Sequence, residues 1–228
     1  KPGVIIGRGG EDIEKLRNEF ISNTFCNKGI DVIIGGPPCQ GFSIANKKAG
    51  DPKDPRNSLF KEFVRIAEIV KPKVIVMENV PKLLKAKNMH GEKVIDIIMK
   101  EFENSGYFGG YKILNAAHFG VPQIRNRLFI IASLDGKLKN IFPEQQYIPA
   151  NEIRDLMNID LPDTPTLWDA ISDLPEIEAR EGAEIMEYTL SPKTAYEAEL
   201  RGDSEQLYNH IAMKHSTRMV ERFKNMPV

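Results

Sequence analysis

The chain has 228 residues, of which 41% are hydrophobic and 28% charged, the balance of a globular chain able to bury a core. No apolar run approaches the roughly eighteen residues of a membrane span, and no signal-peptide pattern opens the sequence. Two cysteines, Cys26 and Cys39, allow one disulfide at most, and the four histidines and two cysteines show no metal-ligand spacing, so a reduced intracellular protein without structural zinc is expected. The net charge of −1 conceals an asymmetry: residues 1–150 carry 23 Lys/Arg against 16 Asp/Glu, and residues 151–228 carry 8 against 16. A basic front portion suits a polyanionic substrate.

Val4-Ile5-Ile6 is a short strand candidate, and Gly7-Arg8-Gly9-Gly10 after it reads as a plain turn. It lacks the Lys-Ser/Thr of a phosphate loop and the full dinucleotide fingerprint. Ile13, Leu16 and Phe20 recur at helical spacing, predicting a short helix over 11–21. Val32 to Ile34 are uniformly apolar and β-branched, which predicts a parallel-sheet strand over 31–35 buried on both faces. Gly35-Gly36 permits a sharp turn there and Pro37-Pro38 forbids continuation, so Cys39 is expected on a stiff turn past the carboxyl end of that strand. Residues 40–57 are polar and lysine-rich, and a loop of this length predicts a lid or binding loop.

The apolar stripe from Leu59 to Val70 predicts a helix with Ser58 as its cap, ended by Lys71-Pro72, and Val74 to Met77 a second apolar strand. Strand, helix, strand is a βαβ unit with parallel strands, so Glu78 should emerge at the same sheet edge as Cys39, although 39 residues separate them in sequence. A helix is predicted over 92–105, a turn over 106–110, a strand over 111–116, a loop from His118 to Pro122, and a strand over 128–132 antiparallel to the preceding one. From Phe142 onward prolines interrupt short apolar clusters. Thr166 to Pro175 reads as one helix, 176–205 as acidic loop or partial disorder, and 216–226 as the start of another helix.

A cysteine and a glutamate at one sheet edge, with arginines nearby, form a set for covalent catalysis: the thiolate is the nucleophile and the carboxyl handles a proton. A cysteine hydrolase would want a histidine base. His118 is the one candidate near the site elements, and no hydrolase signature surrounds Cys39. The blocks Gly36-Pro-Pro-Cys-Gln-Gly-Phe-Ser43, Glu78-Asn-Val80 and Gln123-Ile-Arg-Asn-Arg127, in this order and spacing, resemble the cytosine-5 DNA methyltransferase family. Arg56-Asn-Ser-Leu-Phe60 and Lys71-Pro-Lys-Val resemble further family motifs, and Thr166–Pro175 and Asn209–Ser216 resemble the stretch before its target-recognition domain.

The resemblance implies an intracellular enzyme, in the cytoplasm or on the nucleoid if bacterial, that acts on double-stranded DNA with S-adenosyl-L-methionine, as in restriction-modification. It implies that Cys39 adds to carbon 6 of a flipped cytosine and Glu78 protonates ring nitrogen 3, with Arg125 and Arg127 holding the nucleotide. Gln40, Ser43, Asn79 and Gln123 are expected at the substrate, Lys47, Lys48 and Lys53 near the DNA backbone, and Asp12, Ile13, Pro38 and Leu59 at the cofactor. The implied architecture is a Rossmann-like class I methyltransferase fold with a mostly parallel sheet. Residues 1–142 would form a partial catalytic domain, and 143–228 a proline-rich, acidic extension leading toward a recognition domain. The family's Phe-x-Gly-x-Gly motif and ribose-binding acid are not found, and its recognition domain and closing motifs do not follow. Incomplete N-terminal strands, a complementary polypeptide if the enzyme is split, and no turnover by the isolated 228 residues are therefore expected. Two rivals share the motifs: a tRNA cytosine-5 methyltransferase of DNA type, and an inactive regulatory homologue, against which intact Cys39, Glu78 and Arg127 argue.

Overall fold

The computed structural model describes residues 30–38, 59–88, 90–134, 136, 140–154 and 160–226. The predicted strand and helix before residue 30, and the predicted lid over 40–57, lie outside the described residues. The chain divides into two compact units, one of Lys1–Ala116 with Arg125–Gln145, the other of Ala117–Ile124 with Gln146–Val228.

The first unit is built on a four-stranded sheet in the order β1-β2-β4-β3, with β1 Val32–Gly35, β2 Val74–Asn79, β3 Tyr107–Asn115 and β4 Asn126–Leu134. β1 and β2 run parallel, as the βαβ pattern requires, whereas β4 is antiparallel to both β2 and β3. The described sheet is therefore mixed, with one parallel and two antiparallel pairings. The expectation of a mostly parallel sheet is corrected for these residues. Crossover helices enforce parallel pairing only between β1 and β2, while β3 and β4 are close in sequence and return directly.

Helix α1, Leu59–Val70, and helix α2, Val94–Asn104, cover one face of this sheet. Phe60, Phe63, Val64 and Ala67 of α1 and Val94, Ile95, Ile98 and Phe102 of α2 are buried, the 3.6-residue stripes the sequence shows. Phe63 and Phe102 meet with ring centroids 6.5 Å apart at 53°. The opposing strand residues, Ile33, Ile75, Met77, Leu128, Ile130 and Ala132, alternate with less buried ones. Each of these Ile, Leu and Met side chains contributes about 1.5–3 kcal/mol through burial, and Ala132 less. β1 departs from the expectation of burial on both faces: Ile33 is buried, but Val32 and Ile34 are 47% and 67% exposed, so among the described residues helices pack against only one side of this strand.

The turn predicted over 106–110 shrinks to Gly106, whose φ of +82° suits glycine, and β3 already begins at Tyr107. Gly109 and Gly110 lie inside the strand rather than in a turn. At Gly109 a Cβ would collide with the main chain of Ile131 and Ala132, so glycine is there for close strand approach. The Tyr107 hydroxyl donates to the Pro72 carbonyl at 2.9 Å, fastening the start of β3 to the turn before β2.

In the second unit, β5 Gly182–Glu187 pairs antiparallel with β6 Gln206–Ile211, and three short helices follow the chain: α3 Trp168–Ile171, α4 Ala195–Arg201 and α5 Thr217–Lys224. Here two expectations are corrected. The helix expected over Thr166–Pro175 is only four residues long. The Asp169 carboxylate accepts from the Thr166 amide and hydroxyl, which holds Asp169 below the usual carboxylate range, and the chain leaves the helix at Ser172. The acidic stretch over 176–205 contains a strand and a helix rather than disorder. β5 is stabilised by pairing with β6, and α4 starts with a capping box between Thr194 and Glu197. The helix predicted over 216–226 is present as α5.

Glu197 is 1% exposed and is the polar centre of this unit. One carboxylate oxygen accepts from the Ser172 hydroxyl at 2.6 Å and the Asp173 amide at 3.1 Å, the other from the amides of Lys193 at 2.6 Å and Thr194 at 3.0 Å. The Ser172 hydrogen bond is the main cause of a pKa held down to about 2, against the upward pull of burial.

Candidate active site

At the carboxyl ends of β1 and β2 the turn and the acid expected from the sequence come together. Gly35 backs onto α1, where an added Cβ would fall 2.5 Å from the Phe63 ring. That contact seats α1 beside the end of β1. A Cβ at Gly36 would lie 3.0 Å from Oε2 of Glu78 and 3.7 Å from its carbonyl oxygen. Glycine at 36 is therefore what lets the turn pass directly over the glutamate. Beyond it, the Pro37 carbonyl accepts from Nδ2 of Asn79 at 2.9 Å, across 42 residues of sequence.

Glu78 and Arg127 meet from neighbouring strands. In the β2/β4 register Glu78 faces Phe129, and Arg127 lies two residues before Phe129, hence on the same sheet face and diagonal to Glu78. Nε of Arg127 reaches Oε1 of Glu78 at 2.8 Å, and an Nη of Arg127 donates to the Asn126 carbonyl at 2.9 Å. The side chains are only 38% and 24% exposed, so the pair is half sheltered from solvent. Among the described residues Oε2 of Glu78 accepts no hydrogen bond, which leaves one carboxylate oxygen beside the turn.

Arg125 is exposed, and its main chain is fixed: its amide donates to Oδ1 of Asn115 at 3.1 Å, and its carbonyl accepts from the Ala116 amide at 3.0 Å. Gln123 is exposed and belongs to the second unit. Pro38 is exposed past the end of β1. Leu59 is half-buried one turn before Phe63 on the same stripe of α1. Cys39, Gln40, Ser43, Asp12 and Ile13 lie outside the described residues, as do Lys47, Lys48 and Lys53. Two contributors are not evident in the sequence. Asn115 stands 12 residues before Arg127 and is 8% exposed, and Gly36 reads as a flexible turn residue rather than as space for a carboxylate. A polar residue ending an apolar strand is the available signal for Asn115.

The model of the C-5 cytosine-specific DNA methylase family matches residues 8–226. The chain belongs to that family. Its relatives include the type II methyltransferase M.DdeI of Desulfomicrobium norvegicum, 45% identical over 196 residues that cover 85% of this chain and 44% of the relative. M1.HphI of Haemophilus parahaemolyticus is 36% identical over 213 residues, 93% of this chain and 46% of the relative. M.AquIA of Picosynechococcus sp. is 42% identical over 156 residues, 64% of this chain and 61% of the relative. The chain thus spans about half the length of most of these relatives. In fold it resembles an E. coli prophage-encoded protein described as a DNA modification methyltransferase, with a TM-score of 0.55 at 24% identity over 92% of this chain and 53% of the other.

Proposed function

We propose that this family member is the catalytic part of a DNA cytosine-5 methyltransferase. The observation that carries the reading is the Glu78 carboxylate, held through Oε1 by Arg127 at 2.8 Å with Oε2 at the Gly36 turn. Carbon 5 of cytosine is a poor nucleophile until the ring is activated. The Cys39 thiolate adds to carbon 6 while the Glu78 carboxyl gives a proton to ring nitrogen 3, which places an enamine at carbon 5. Carbon 5 then takes the methyl group as that group's bond to the donor sulfur breaks, the electron pair staying on sulfur. Carbon 5 gives its proton to water, nitrogen 3 returns its proton to the Glu78 carboxylate, and the C6–S bond breaks to release the Cys39 thiolate. A base inside a duplex cannot reach such a site, so the target cytosine is flipped out. Arg127 fixes the Glu78 carboxylate, and Arg125 presents a planar cation to the nucleotide. Gln40, Ser43 and Gln123 complete the substrate contacts in this reading.

S-adenosyl-L-methionine supplies the methyl group when bound. In this reading Pro38, past the end of β1, and Leu59, at the start of α1, would offer it apolar contacts on the side of the strand ends where α/β sheets bind ligands. Asp12 and Ile13 would hold the adenine. A Rossmann-like class I fold, residues 143–228 as an extension toward a recognition domain, and double-stranded DNA as partner belong to the same proposal.

The test is a covalent trap with full-length protein, S-adenosyl-L-methionine and DNA carrying 5-fluorocytosine. Fluorine cannot leave carbon 5 as a proton does, so elimination stops and the adduct persists. A denaturation-resistant complex with the native protein and none with Cys39→Ser is expected. Identical behaviour of the two proteins would overturn the proposal.

A further inference from the structure

Two prolines in succession leave the turn after β1 without main-chain donors of its own at positions 37 and 38. Such a segment is stiff, but its stiffness alone does not set its direction. The direction comes from outside the turn. Asn79, the last residue of β2 and only 6% exposed, donates from Nδ2 to the Pro37 carbonyl at 2.9 Å, and its Oδ1 accepts from the Val80 amide at 2.9 Å. The amide group thus joins the β1 turn to the main chain immediately after Glu78, using its donor on one and its acceptor on the other.

We propose that Asn79 is a positioning residue that fixes the angle between the Pro37-Pro38 turn and Glu78. This rests on the function proposed above, in which the residue following that turn attacks the base that Glu78 protonates. The family resemblance places Asn79 at the substrate. Its burial and its main-chain partners assign it instead to aligning the groups that meet the substrate. Asparagine is the residue type the position requires. Aspartate has the same shape and still accepts from Val80, yet it cannot donate to Pro37 and would set a negative charge against that carbonyl.

Full-length Asn79→Asp and Asn79→Ala are compared with the native protein in three measurements. The single-turnover rate of adduct formation at saturating 5-fluorocytosine DNA is expected to fall about 100-fold for both, the scale of a small misplacement of reacting groups. The DNA dissociation constant should stay within about twofold, since an aligning group does not bind DNA. Amide exchange in the peptide covering residues 31–41 should accelerate about tenfold, with the α2 peptide unchanged, as expected when one fastening hydrogen bond is lost. An unchanged rate would sink the proposal. So would a loss confined to DNA affinity, which marks a substrate contact, or a rate that falls only in proportion to the unfolded fraction. Because the exchange measurement needs no turnover, unaltered exchange overturns the proposal even if the native protein forms no adduct. That last result alone would count against the methyltransferase reading.

Discussion

Glu78 and Arg127 are ion-paired at 2.8 Å from diagonal positions on adjacent antiparallel strands, 49 residues apart in sequence. The pair exists because β4 inserts between β2 and β3, which sets the start of β4 against the end of β2. A strand-end glutamate on its own would sample several rotamers. Here the guanidinium binds one oxygen through Nε and is itself tied to the Asn126 carbonyl, so the other oxygen is left in a defined place.

Arg127→Ala should therefore lower the single-turnover rate of methyl transfer by about 100-fold or more, the usual contribution of a well-placed proton donor. Arg127→Lys should recover only a small part, because an ammonium cannot reproduce the planar grip on both Glu78 and Asn126. Rates for the two variants in the full-length protein check this. A lysine variant with the native rate would show that charge alone is enough.

Gly36→Ala probes the space rather than the charge. The new Cβ would lie 3.0 Å from Oε2 of Glu78, closer than ordinary van der Waals contact, and the carboxylate cannot simply swing away while Arg127 holds its other oxygen. The expected result is a rate lowered about tenfold or more, with a thermal midpoint close to that of the native protein, since the clash is local. A full loss of stability with no separate rate effect would contradict it.

How far the sequence discloses this site depends on the range of the interactions. The strand ending at Gly35, the helix from Leu59 and the strand into Glu78 follow from local apolar pattern, and the βαβ rule then sets β1 parallel to β2, the pairing that is found. The Glu78–Arg127 contact is not legible there: family likeness sets Arg127 on the nucleotide, and no local pattern says which strand lies next to β2. Gly109 misleads for the opposite reason. A glycine pair normally signals a turn, but here it answers the approach of a strand 22 residues away. Unit two is the least legible. Thr194-x-x-Glu197 is a capping-box signature able to announce α4, yet the acidic composition around it suggests disorder, and β5 gains its stability from β6 across an intervening helix.

Asn115 offers a third test. Its side chain is 8% exposed and accepts from the Arg125 amide at 3.1 Å in a half-buried hydrogen bond, so Asn115→Ala takes that partner from the N–H. A loss of about 1–3 kcal/mol in denaturant unfolding is expected. Asn115→Asp keeps the acceptor and should retain most of the stability. If alanine and aspartate are equally damaging, the hydrogen bond is not the cause.

Glu197 sets the acid response of the second unit. Its folded pKa of about 2 lies below its ordinary value of 4.5, so the stabilisation is fully present above pH 4.5 and is lost as the pH falls toward 2. The four donors that converge on the carboxylate come from Ser172, Asp173, Lys193 and Thr194, and they tie the end of α3 to the start of α4. Amide exchange in the peptides covering residues 168–175 and 193–201 should therefore accelerate between pH 4.5 and 2 beyond the intrinsic change in exchange chemistry. Glu197→Gln should accelerate the same peptides already at pH 7, because a glutamine amide turns an NH2 toward two of the four donors. It should also flatten the dependence below pH 4.5, since the titrating group is gone. Native-like protection in the glutamine variant at pH 7 would show that the charge is not what holds α3 and α4 together.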